Sequence, residues 1–144
     1  MHIRQATIFD VEQIHDIEKQ CFSQPWSLKD IYADLVSPVA TYFVATIDNS
    51  IVGYIGFWNV VGEGQLTNLA VKTEARGMGI ANQLIKKVID QAKIHSGEYI
   101  TLEVRQSNHI ASHLYKKYDF KEIAVRKAYY KEPTEDATIM KLNL

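Results

Sequence analysis

The stretch that decides the fold runs from Gln65 to His95, and its letters are QLTNLAV, KTEARGMGIA and NQLIKKVIDQAKIH. The first part, from Gln65 to Val71, has the composition of a strand and follows the turn Gly62-Glu63-Gly64. In the last part apolar residues recur every four positions, which predicts an amphipathic helix from Gly79 to about His95. A strand, a glycine loop and a helix in this order indicate an α/β unit with its loop at the carboxyl end of the strand.

The loop Arg76-Gly77-Met78-Gly79-Ile80-Ala81 is a candidate phosphate cradle. Two glycines let a ligand approach the backbone, and the free N–H groups and dipole of the following helix favour an anion. No acidic residue occurs from Ala75 to Ile89, although helices commonly carry one in their first turn. A tight turn without a ligand is the other interpretation, and the residues alone leave the two about equally supported.

The segments on either side predict one domain, residues 1–144, with the element order βααβββαβαββ. The upstream elements are a strand at Ile3–Ala6, helices capped by Asp10 and Ser27, and a hairpin of Thr41–Ile47 and Ile51–Val61. The downstream elements are strands at Tyr99–Val104, Phe120–Ala128 and Ala137–Leu142, and a helix at Ile110–Tyr118 capped by Asn108. We therefore expect an α/β fold, a mixed and mostly antiparallel sheet of about seven strands flanked by about four helices.

Composition and charge exclude several classes of protein. Apolar residues make up 47% of the chain, which is enough to form a core. The 16 basic and 17 acidic residues nearly balance, so the chain has no overall electrostatic field that would attract nucleic acid or an anionic membrane. The single cysteine, Cys21, and the lack of a signal peptide or membrane-spanning segment predict the cytoplasm. His109 and His113 stand four residues apart without an evident third ligand, so we expect no metal.

Asn68-Leu69-Ala70-Val71, followed by Arg76-x-x-Gly79-x-Ala81, resembles the acyl-CoA signature of the GCN5-related N-acetyltransferase superfamily. Within it the chain is similar to the RimI type, through motifs spread over its whole length: Phe22–Ser27, Leu102–Arg105, Asn108, Leu114-Tyr115, Asp119-Phe120, Tyr129-Tyr130 and Glu135–Ala137. The resemblance implies acetyl-CoA as cosubstrate, bound by the strand, by the glycine loop and by two residues further along the chain. These residues are Leu69, Ala70, Val71, Arg76, Gly77, Met78, Gly79, Ile80, Ala81, Asn108 and Tyr115.

Two residues are candidates for proton transfer. Glu103 is the only acid in its strand, and alternation places it opposite Ile100, Leu102 and Val104, so it faces either a cleft or solvent, where it could pair with Arg105. Tyr115 has the spacing of an ordinary core aromatic, although its phenol could also protonate a leaving thiolate. The resemblance implies that Glu103 is the general base and Tyr115 the general acid.

The acceptor that the resemblance implies is a protein N-terminus, typically the alanine that begins ribosomal protein eighteen of the small subunit. Aromatic walls for an extended peptide could come from Trp26, Tyr32, Tyr129 and Tyr130, which core or edge packing would also explain. Two alternatives stay open here. One is an acetyltransferase for lysine or a small-molecule amine, and the other is a non-catalytic acyl-CoA-binding module.

Overall fold

A computed structural model describes all 144 residues. Its seven strands are β1 (His2–Gln5), β2 (Ala40–Ile47), β3 (Ser50–Val60), β4 (Glu63–Val71), β5 (Tyr99–Arg105), β6 (Lys121–Tyr130) and β7 (Glu135–Asn143). Its four α-helices are α1 (Val11–Cys21), α2 (Leu28–Leu35), α3 (Ile80–Ile94) and α4 (His109–Lys117). Two short 3₁₀ helices occupy Ile8–Asp10 and Thr73–Ala75. The predicted order of strands and α-helices is confirmed.

The seven strands form one sheet in the order β1-β2-β3-β4-β5-β7-β6. Every pair is antiparallel except β4 and β5, which are parallel. Alternation along β2 separates two cores, because Tyr42 and Val44 pack with α1 and α2 while Phe43 and Ala45 pack with α3. The sheet is therefore covered on both faces, as the mixed α/β prediction requires.

The parallel seam between β4 and β5 is short. Only three pairs join the strands, from Glu63 with Tyr99 to Gln65 with Thr101. Just beyond it Thr67 is the extra residue of a bulge against β3, since Gly56 pairs with Asn68 and Phe57 with Leu66. The two strands separate from this point onward, and their carboxyl-terminal halves border an opening in the sheet.

Two local predictions are corrected. Asp10 does not cap α1 with its side chain. Instead Thr7 caps the preceding 3₁₀ turn, and the Asp10 carboxylate accepts the Thr7 N–H and two bonds of 2.8 Å from Arg4. The acid three residues after Thr7 thus completes a capping box, which competes with the predicted cap on α1. The sixth strand also runs to Tyr130 rather than Ala128, because β7 pairs with it as far as Glu135.

Candidate functional site

A cleft of about 1170 Å³ occupies the opening between β4 and β5. Tyr115 belongs to the core on the α3 side, whereas Glu103 projects from the opposite face of β5, and both line the cleft. The cleft therefore passes through the sheet from one face to the other. This position at the carboxyl ends of the parallel strands is the one the fold class predicts.

The glycine loop forms one end of the cleft, which we name the cofactor end (residues 69–82). Gly77 and Gly79 have φ values of +80° and +79°, a conformation that favours glycine. An added Cβ at either position would meet nothing within 4 Å, so the loop borders open space. Helix α3 begins there with no side-chain cap and no acid in its first turn, which leaves its N–H groups free for an anion. These features fit the pyrophosphate of CoA.

The Arg76 side chain turns back from this loop toward the strand. Its Nε donates to the Val71 carbonyl at 3.2 Å, and its Nη2 lies 3.5 Å from the Sγ of Cys21. Arg76 therefore fixes the glycine loop against the end of β4 and against α1. Asn108 lies at the far side of the cleft, where its Oδ1 accepts the Ala111 N–H at 3.1 Å and caps α4 as predicted.

The other end of the cleft, which we name the acceptor end, is formed by Trp26, Glu103 and the β6–β7 hairpin with Tyr130. The side chain of Glu103 is 19% exposed, and its Oε1 lies 3.2 Å from the Nη1 of Arg126. Arg105, its neighbour in the sequence and the expected alternative partner, pairs instead with Glu135 at 3.2 Å. An exposed arginine partner such as Arg126 contributes at most about 1 kcal/mol, so this pair leaves the carboxylate available for other contacts.

The three tyrosines near this end have raised pKa values. Burial raises the pKa of Tyr115 well above its ordinary value, with a smaller effect from Tyr130. Burial raises the pKa of Tyr130 to about 12, with a smaller effect from Glu103. The pKa of Tyr129 is raised mainly by the nearby Glu103 carboxylate. All three phenols are therefore protonated at neutral pH and can donate hydrogen bonds.

Most of the predicted site residues line this one cleft. Those that do are Trp26, Leu69, Ala70, Val71, Arg76, Gly77, Gly79, Ile80, Ala81, Glu103, Asn108, Tyr115 and Tyr130. Three others lie outside its lining: the side chains of Met78 and Tyr32 are exposed, and Tyr129 packs edge-on against Tyr130 at 5.0 Å. A contact from Met78 to a phosphate would therefore come from its backbone N–H.

A buried carboxylate at the acceptor end, Glu18, was not among the predicted site residues. Glu18 is 2% exposed and accepts hydrogen bonds from the Tyr54 hydroxyl, the Trp26 N–H at 3.1 Å and the Asn68 amide at 3.3 Å. It thereby holds the loop between α1 and α2 over the cleft. One signal was available in the sequence, because Glu18 follows Ile14 by four positions and so lies on the apolar stripe of α1.

A second missed carboxylate, Asp34, lies on the same face of the sheet. It accepts hydrogen bonds from the Tyr42 hydroxyl at 2.5 Å and from the Trp58 indole at 2.8 Å. The rings of Tyr42 and Tyr54 are stacked with their centroids 6.2 Å apart. The hydrogen bonds to Glu18 and to Asp34 are therefore neighbours beneath α1 and α2. Residue type alone predicts that both acids face solvent, because acidic residues on surface helices are usually exposed.

Comparison with known proteins identifies the class. The model of the acetyltransferase (GNAT) family matches residues 11–120, and the chain belongs to this family. It is therefore an N-acetyltransferase whose acyl donor is acetyl-CoA. No helix is long and apolar enough to cross a membrane, and no group of three or more His, Cys, Asp or Glu could hold a metal ion.

Two relatives and one solved structure show which members of the family this chain is similar to. The chain is 32% identical over 141 residues to the [ribosomal protein bS18]-alanine N-acetyltransferase of Haemophilus influenzae, covering 96% of this chain and 95% of that one. It is 35% identical over 151 residues to an N-alpha-acetyltransferase of Saccharolobus solfataricus, covering 96% and 90%. The crystal structure of the ribosomal-protein-S18-alanine N-acetyltransferase from Escherichia coli superposes with a TM-score of 0.93, at 28% identity over 99% and 92% of the two chains.

Proposed function

We propose that this enzyme acetylates the N-terminal α-amine of a protein, and that its acceptor is the N-terminal alanine of ribosomal protein bS18. One observation carries the proposal: Glu103, Tyr115 and Tyr130 line the same cleft as the glycine loop. The names of the Haemophilus and Escherichia relatives support the choice of acceptor. A cytoplasmic location belongs to the proposal, because ribosomal proteins are made and assembled there.

Glu103 acts as the base in this proposal. Acetyl-CoA, when bound, supplies the acetyl group as a thioester. The Glu103 carboxylate accepts a proton from the acceptor amine, directly or through a water molecule, as the amine nitrogen forms its bond to the acetyl carbon. Its position on the partly exposed face of β5, close to Tyr129 and Tyr130, suits an amine that arrives from the hairpin side.

Tyr115 acts on the departing sulfur. Its buried hydroxyl is protonated at all working pH values, because burial raises its pKa. A free thiol has a pKa of about 8.5, which is below that of a tyrosine phenol, so full transfer of the proton from Tyr115 to the thiolate is uphill. We therefore assign Tyr115 first as a hydrogen-bond donor that stabilises the developing thiolate, with the proton following as the C–S bond breaks.

The acceptor amine is chosen partly by its own chemistry. An α-amine has a pKa of about 7.7 to 8.0, so about one molecule in ten is neutral at pH 7. A lysine side chain, with a pKa of about 10.4, has about one neutral molecule in 2500. A site with a single moderate base such as Glu103 therefore favours the α-amine.

A pair of peptides tests the proposal. We expect a peptide that begins with a free alanine and contains no lysine to be acetylated at its α-amine, as read by thiol release and mass spectrometry. The matched peptide, blocked at its N-terminus and carrying lysines, should remain unmodified. Acetylation of lysine in the blocked peptide at an equal rate would assign the enzyme to lysine instead. Mass spectrometry of the host's protein N-termini, with and without the enzyme, then tests bS18 itself.

A further inference from the structure

Arg105, the last residue of β5, makes an unusual number of contacts for a quarter-exposed side chain. Its Nη1 donates to the Pro133 carbonyl at 2.9 Å and to the Glu135 carboxylate at 3.2 Å, and its Nη2 donates to the Lys131 carbonyl at 2.8 Å. The guanidinium also lies 4.5 Å from the centre of the Tyr130 ring. All of these partners belong to one segment, residues 130–135, which connects β6 to β7.

This segment borders the acceptor end of the cleft. Tyr130, Glu132, Pro133 and Glu135 line it, and so does Arg105. Alternation along β5 places Arg105 on the same face as Glu103, two residues earlier. Arg105 therefore joins the strand that carries the base to the loop that carries the tyrosine.

A second hydrogen bond, accepted by Glu135 in the same segment, supports this arrangement. The Glu135 carboxylate accepts the Ser107 N–H at 2.6 Å, and Ser107 directly precedes Asn108, the N-cap of α4. Hydrogen bonding from Ser107, together with the smaller effect of Arg105, holds the pKa of Glu135 below its ordinary value. The loop is thus attached to both the end of β5 and the start of α4.

We propose that Arg105 is a positioning residue for the acceptor, which holds Tyr130 and the 130–135 loop at a fixed distance from Glu103. The proposal rests on the proposed function, since it assigns this loop to the peptide. Only arginine can serve here, because three hydrogen bonds and ring stacking need a planar group with several donors. A lysine would keep the charge but supply one nitrogen without a flat face.

The same hairpin contains a matched control. Lys127 lies 3.2 Å from Asp136, whose other oxygen accepts the Ala128 N–H at 2.8 Å. This pair also joins β6 to β7, but none of its members lines the cleft. Removing it changes the hairpin without changing the acceptor wall.

The experiment compares Arg105→Lys and Arg105→Met with Lys127→Met. For both Arg105 variants we expect KM for the alanine peptide to rise about ten- to a hundredfold, as a misplaced binding group produces. The calorimetric Kd for acetyl-CoA should stay within about twofold, because Arg105 contacts nothing at the cofactor end. Lys127→Met should leave both constants unchanged.

Amide hydrogen exchange in residues 130–135 supplies a readout that needs no substrate. It should become faster in Arg105→Lys and stay unchanged in Lys127→Met. Wild-type exchange together with wild-type peptide KM in Arg105→Lys would overturn the proposal, and so would an equal rise in KM for Lys127→Met. If the wild-type enzyme ignores the alanine peptide, the proposed function fails, while exchange and KM for whichever amine it accepts still decide the role of Arg105.

Discussion

The two ends of the cleft are built in opposite ways. The cofactor end comes from one continuous stretch, residues 69–82, and presents mainly backbone N–H groups and two glycines. The acceptor end comes from distant parts of the chain, with Trp26, Glu103 and Tyr130 brought together, and depends on Glu18 and Arg105 to hold its loops. A backbone site can be recognised in a sequence because its determinants are neighbours, whereas a side-chain site depends on partners that the fold supplies.

The largest difference between the effect on turnover and the effect on acetyl-CoA affinity should come from substitutions of the proton-transfer groups. Glu103→Gln and Tyr115→Phe preserve shape but remove the group that accepts or donates a proton. We expect turnover to fall by about 10² to 10⁴-fold, while the calorimetric affinity for acetyl-CoA is retained. Wild-type turnover of both variants at every pH would remove these residues from the reaction.

The converse change acts at the cofactor end. Gly79→Asp places a negative charge at the start of α3, and Gly79→Asn is its neutral control of the same shape and tolerates the left-handed conformation as well. We expect the aspartate to weaken acetyl-CoA binding about ten- to a hundredfold relative to asparagine, because like charges repel across a few ångströms. Equal affinities measured by calorimetry would mean that no phosphate lies near Gly79.

A smaller effect is expected from the aromatic wall. Tyr130→Ala removes a half-buried ring that stacks on Arg105, so KM for the alanine peptide should rise about tenfold and acetyl-CoA binding should change less. The same substitution at Tyr32, which is exposed outside the cleft lining, is the control. If Tyr32→Ala has the greater effect on peptide use, the peptide follows α2 rather than the hairpin.

The smallest effect on the cleft should come from breaking the ion pair of Arg4 and Asp10 near the amino terminus. This change tests whether a loss of stability alone alters the acceptor end or the cofactor end. The Arg4 hydrogen bonds lower the pKa of Asp10, so this carboxylate stabilises the fold above its unfolded pKa of about 3.9 and loses that contribution as pH falls through its lower folded pKa. Asp10→Asn should lower the free energy of unfolding by about 1.5 to 3 kcal/mol at pH 7. Denaturant titrations should find this difference shrinking in strong acid, with KM and Kd unchanged at pH 7.

The fold could be predicted well because its signals are local and periodic. Spacing of four predicted α3, and alternation placed Glu103 on the face of β5 opposite to Ile100, Leu102 and Val104. Local signals failed where two were in competition. Asp10 could either cap α1 or complete the box begun by Thr7, and its bonds to Arg4 favour the second.

The acceptor end could be predicted only in part. Glu103 stood out as the only acid in its strand, and a family resemblance assigned it and the tyrosine pair to the site. Its ion-pair partner, however, is Arg126 from β6 rather than its neighbour Arg105. Nothing in the order of residues pairs Glu18 with Tyr54, 36 positions later, or Arg105 with the carbonyl of Lys131, 26 positions later. Such contacts follow from the sheet order, which brings β5 and the hairpin side by side.

The short seam between β4 and β5 also has a consequence for cooperativity. The backbone link between the sheet halves β1–β4 and β5–β7 is short. It consists of three residue pairs and the adjacent bond of 2.8 Å from the Glu98 N–H to the Gly62 carbonyl, and side chains packed around α3 add to it. Such a molecule can open as two foldons along the seam before it unfolds globally. A ligand that spans the gap binds only when both halves are in place, so it couples them. We expect the ratio of van't Hoff to calorimetric enthalpy to approach one as acetyl-CoA saturates the protein.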